Sequence, residues 1–83
     1  MIEYSMFNRL PTWSQVEVLV TKGTLVAQRQ HNEWSITLFS INEYFVELWT
    51  NQHFQVVGSF QKTAKPLDIL EPYIVFMDVK DLY

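Results

Sequence analysis

An α+β fold is what this sequence predicts: an N-terminal helix, a four-stranded antiparallel β-meander, and a short C-terminal helix or irregular tail. Two changes of pattern lead there. Over residues 12–22 apolar side chains recur at three- and four-residue spacing, the period of a helix with one buried face. From Thr24 onward the period becomes two, and polar clusters recur about every ten residues, as in successive hairpins. With 83 residues there is room for one hydrophobic core, so 1–83 is expected to form a single domain.

The helix lies between Pro11 and Gly23. Thr12-Trp13-Ser14-Gln15 fits a capping box, with a hydroxyl at the N-cap and Gln three residues later. Trp13, Val16, Leu19 and Val20 share a face, and Gly23 suits a left-handed residue after the last turn. Against this, Gln15-Val16-Glu17-Val18-Leu19-Val20 alternates like a strand and is rich in Val.

Strands are predicted over 24–30, 34–40, 44–50 and 54–61, joined by three-residue turns at 31–33, 41–43 and 51–53. Turns of that length pair Ser40 with Tyr44 and Thr50 with Phe54. Trp34, Ile36, Leu38, Val46, Leu48, Phe54, Val56 and Phe60 then share one face, the expected core, and a one-residue slip would turn a strand inside out. Beyond the sheet, Pro66 suits a first helical turn and Pro72 limits the helix. Residues 73–77 are apolar, and Asp78 is placed to cap a final turn.

Composition narrows the function classes. Hydrophobic residues make up 48% and charged residues 18%, too apolar for a disordered chain. With no Cys, disulfides, thiolate catalysis and zinc knuckles are excluded. Net charge is −3 and the six basic residues are scattered, so no positive patch for nucleic acid is expected. The N-terminus lacks a basic start followed by an apolar stretch, and the longest apolar run is far below the roughly 20 residues that span a bilayer. A cytoplasmic protein without membrane contact is the expectation.

Gly23-Thr24-Leu25, Tyr44-Phe45-Val46-Glu47-Leu48-Trp49 and Leu70-Glu71-Pro72-Tyr73 resemble a group of small uncharacterised bacterial proteins of about this length. The resemblance implies a helix, a meander and a C-terminal segment, and it carries no activity and no site residue.

The candidate site is the reverse side of the sheet, where the three-residue turns put Phe39, Phe45, Trp49 and Val57 together with Glu47. A sheet with one wet face alternates apolar with polar, and these aromatics break that rule. Three readings stay open: the C-terminal segment or the first helix covers the patch, a homodimer or another protein does, or the patch lines a small-ligand pocket. Self-association is the leading partner class, and Phe39, Phe45, Trp49 and Val57 are its interface. Glu47, with Thr37 and Val57 as expected cross-strand neighbours, reads as a strand carboxylate or as an acid-base group. His31 and His53 occupy turns at the same end of the meander, so with Glu47 they form a possible polar site for a small-ligand or hydrolase-like protein. No metal and no cofactor is expected, since there is no His-x-x-x-His, no Gly-x-Ser-x-Gly and no glycine-rich loop. A non-enzymatic binding or regulatory module is therefore the leading function.

Overall fold

The structure is a computed structural model that describes residues 2–61 and 63–74. Helices α1 (Tyr4–Arg9) and α2 (Thr12–Lys22) precede strands β1 (Thr24–His31), β2 (Trp34–Ile41), β3 (Tyr44–Thr50) and β4 (Gln55–Ser59), and helix α3 (Pro66–Ile74) follows. The strands form one antiparallel sheet in the order β1-β2-β3-β4. The predicted α+β meander is thus the architecture, with α1 as an added element too short to show a period in the sequence. Among the described residues, no helix is long and apolar enough to cross a membrane.

Helix α2 spans 12–22 as its spacing predicts, but neither end is closed as expected. Pro11 is the N-cap, and no side chain caps the first turn. Gln15 instead donates through Nε2 to the Phe7 carbonyl at 3.0 Å, satisfying the end of α1 and tying the two helices together. Gly23 is extended (φ −80°, ψ 160°), not left-handed. Its need for glycine is steric: a Cβ there would lie 2.7 Å from the Leu19 carbonyl oxygen and 3.3 Å from Phe39. Leu19 is buried with Val16 and Val18 packed nearby, whereas Trp13 and Val20 face outward.

The hairpin loops decide how the sheet faces. Ile41 pairs with Tyr44 and His31 with Trp34, so the first two loops hold two residues each, not three. Asn42 and Glu43 both have positive φ (42° and 70°), the sign pattern of the turn whose twist matches paired strands. Asn32 also has positive φ. The third link, residues 51–54, is organised by Asn51, whose Oδ1 accepts the backbone N–H of His53 at 2.8 Å and of Phe54 at 2.7 Å. Thr50 therefore pairs with Gln55. Relative to the expected alignment, β3 is turned over against both neighbours.

Two cores result. On the first face Phe39, Ile41, Tyr44, Val46 and Leu48 pack with Phe7 of α1 and Leu19 of α2. The Tyr44 hydroxyl and the Asn42 amide both donate to the Ile2 carbonyl, which pins the N-terminal segment to the β2–β3 hairpin. On the second face Ile36 and Leu38 pack with Ile69 and Tyr73 of α3, and Ala27, Trp34, Phe45, Trp49 and Phe60 surround them. Phe39 and Val57 thus belong to the first face, and Phe45, Glu47 and Trp49 to the second. The four expected interface residues do not share a surface, because a two-residue loop inverts every side chain of β3. Pro66 opens α3 as predicted, but the helix continues through Pro72 to Ile74. Phe76 and Asp78 lie outside the described residues.

Two substitutions check this backbone. Gly23→Ala should destabilise by about 1–3 kcal/mol, because the added methyl has to displace a backbone carbonyl. Glu43→Gly should stabilise by about 0.5–1 kcal/mol, since a left-handed conformation costs Glu more than Gly. Urea midpoints moving the other way would show that the close approach of Gly23 to the Leu19 carbonyl and Phe39, or the left-handed loop, is misplaced.

Candidate functional site

The second face carries a carboxylate in its middle. Glu47 sits on the central strand β3 opposite Leu38 and Gly58, and is only 8% exposed. A buried charge is tolerated where its oxygens are occupied. Oε1 accepts the Trp49 indole N–H at 3.0 Å, and Oε2 accepts the Tyr73 hydroxyl at 2.6 Å. The Arg29 guanidinium lies 3.6 Å from Oε2 and stacks between two rings, 5.5 Å from the centre of Trp49 and 5.1 Å from that of Tyr73. One strand supplies the acid, its neighbour's neighbour the cation, and α3 the phenol.

Going away from α3 along the same face, the surface becomes aromatic. Trp34 meets Trp49 edge-on with ring centres 5.9 Å apart, and His31 approaches Trp49 at 6.4 Å. Val56 is the ladder partner of Trp49 and is exposed. Phe54, in the preceding loop, is 65% exposed and has His53 edge-on at 6.3 Å.

The corresponding end of the first face is bare too, but it is polar. There Gln30 donates to Ser35 at 2.9 Å and Gln28 to Thr37 at 3.4 Å across the β1–β2 ladder. These side chains satisfy one another. The chain therefore places uncharged polar residues on one uncovered sheet end and Trp, Phe, Val and His on the other.

Of the residues singled out from sequence, Glu47, Trp49 and His31 are brought together, with His53 in a loop at the same end. Phe45 lies on this face with Phe60, Ala64 and Leu70 in the cluster built around α3, while Phe39 and Val57 lie on the other face. The expected neighbours of Glu47, Thr37 and Val57, are replaced by Leu38 and Gly58 through the same slip in register. No group of three His, Asp or Glu able to hold a metal occurs among the described residues. Sequence reasoning missed Arg29 and Tyr73. A signal for the first was there: Arg29 is the only formally charged residue, His taken as neutral, in β1, as Glu47 is in β3.

Tyr73 makes the network testable. Burial raises its phenol above the ordinary 10.0, and the neighbouring Glu47 carboxylate raises it further. The unfolded phenol ionises first, so the stability this group contributes is complete below about pH 10 and is lost as pH rises beyond it. Tyr73→Phe should cost about 1–3 kcal/mol near neutrality and flatten the alkaline fall in urea midpoint. Tyr44, also raised by burial, titrates in both proteins and cancels. Parallel curves from about pH 8 to 11 would mean that the Tyr73–Glu47 hydrogen bond is absent.

Compared with known proteins, the chain matches no family model, no curated protein and no solved structure.

Proposed function

We propose that this chain is a non-enzymatic binding module that engages another protein through the aromatic end of its second sheet face, with Trp34 and Trp49 as anchors. The observation that supports this most is that Trp49 is held before anything binds. Its N–H is committed to Glu47, Arg29 lies over its ring, and Trp34 abuts it. A ring already ordered adds little entropy cost on association, and Trp is prominent among residues that dominate interface energies.

The contrast between the two bare sheet ends supports the same reading. Small size alone does not account for the half-buried Trp34 and Trp49 or the exposed Phe54, because this chain carries Gln, Ser and Thr at the matching end of the other face. Phe54 and Val56 extend the apolar surface beside Trp49. With the indole N–H occupied, recognition rests on ring faces and edges, which suits a partner segment presenting apolar or aromatic side chains. Glu47 has both oxygens engaged and is nearly buried, so it offers no free carboxylate for the acid-base role in the hydrolase-like alternative with His31 and His53.

Peptides selected from a random displayed library, then counter-selected on Phe54→Asp/Val56→Asp, should move the indole N–H resonances of Trp34 and Trp49. Trp13, exposed on α2 against the first face, serves as the unmoved control. The double variant should keep its circular dichroism and bind about tenfold more weakly. A library that yields no ligand, or ligands that shift only Trp13, would remove the aromatic end as the contact surface.

A further inference from the structure

Helix α3 is held to the sheet by few groups. It is nine residues long, and Pro72 lies inside it without the N–H that would bond the Asp68 carbonyl. A helix that short does not hold in water by itself, so its persistence depends on docking. Yet only Ile69 and Tyr73 are buried, Leu67 and Ile74 are exposed, and a groove of about 370 Å³ runs between α3 and β1 at Val26, Ala27 and Gln28. Among the described residues, the one side-chain hydrogen bond from α3 to the sheet is the Tyr73 hydroxyl on Glu47. Structure of this kind opens before a central strand does.

The group that receives this bond has a second arrangement open to it. Arg29 stands between the rings of Tyr73 and Trp49 and approaches a single Glu47 oxygen, at 3.6 Å from Oε2, longer than a direct hydrogen bond. Its Nε is buried and has no acceptor among the described residues. An arginine beside a carboxylate gains most from a two-point pair, with each oxygen facing one N–H. Tyr73 stands against that pair, because its hydroxyl holds Oε2 at 2.6 Å while the Trp49 N–H holds Oε1 at 3.0 Å. The carboxylate is thereby fixed in an orientation that offers Arg29 only one oxygen.

We propose that α3 controls Trp49 through an exchange of partners at Glu47. With α3 docked, Glu47 bonds Tyr73 and Trp49, and the indole is held. With α3 lifted, Oε2 is released, the carboxylate turns to face Arg29 in a two-point pair that satisfies Nε, and Oε1 leaves the indole N–H. Each state leaves a different group unsatisfied, so the exchange has two discrete positions and no gradual path between them. Coupling of this sort is reciprocal: a partner that needs the held indole fastens α3, and a contact that lifts α3 weakens the partner. That consequence for binding rests on the aromatic-end reading above, whereas the exchange at Glu47 does not.

Hydrogen exchange of the free chain should give the Trp49 indole N–H and the amides of Ile69, Leu70 and Tyr73 protection within about threefold of one another, and at least about tenfold below the amides of β2 and β3. Tyr73→Phe should move the Trp49 indole resonance toward that of exposed Trp13 without changing circular dichroism. Adding Arg29→Lys to Tyr73→Phe should return it, since an ammonium occupies one oxygen and leaves the other to Trp49. All three readouts come from the free chain, so a library that yields no peptide sinks the aromatic-end reading and leaves them standing. A Trp49 resonance that Tyr73→Phe leaves in place, one that Arg29→Lys fails to restore, or an indole protected with the sheet instead of with α3 overturns the proposal.

Discussion

The second face of the sheet depends on one short loop. Because Ile41 and Tyr44 pair directly across Asn42-Glu43, the odd-numbered residues of β3 point to α3, and Glu47 comes within reach of Tyr73 and Arg29. One more residue in that loop would turn Glu47 toward α1 and α2. The α2 side chains that pack there, Val16, Val18 and Leu19, carry no partner for a carboxylate. An unpaired buried charge costs several kcal/mol, so the carboxylate itself disfavours the slipped alignment. Loop geometry and burial of charge thus specify the same register by independent means.

That double specification explains what could be read from the residues and what could not. Period-two alternation placed all four strands to within a residue or two at each end, because strand existence depends only on local pattern. Register depends on loop length, and here the sequence misleads. Asn-Glu lacks the glycine that marks a two-residue hairpin, so Ile41 reads as part of the turn. The buried stripe of α2 differs from the predicted one for a related reason: helical spacing allows more than one stripe, and only the position of the sheet chooses among them. Arg29 and Tyr73 entered the site through contacts 18 and 26 residues distant from Glu47, beyond any local pattern.

Both faces of the sheet are apolar at the end where helices cover them and diverge at the other. Phe39, Ile41, Tyr44 and Val46 lie under α1 and α2, and Ala27, Leu38, Phe45 and Phe60 lie with α3. Past those helices the first face turns to Gln and hydroxyl side chains that pair across the ladder. The second turns to rings. An uncovered sheet surface free of other demands should resemble the former, since exposed polar side chains lose nothing on folding. The aromatic end is the departure from that rule, and departures of this kind concentrate where a surface is used.

Glu47 stands between the covered and the open parts of that face and links them. Replacing a buried ion pair by apolar side chains is often neutral or stabilising, so stability alone is a weak reason for a carboxylate here. What the carboxylate supplies is direction. Trp49 has an indole N–H that needs an acceptor when half-buried, and the Glu47 oxygen two residues away on the same strand face supplies it. Tyr73 brings α3 to the other oxygen, and Arg29 closes the stack over both rings. The position of the covering helix and the orientation of the half-buried Trp49 are therefore set by the same side chain. A change at Glu47 reaches the open surface through two hydrogen bonds, and it need not alter any residue a partner would touch.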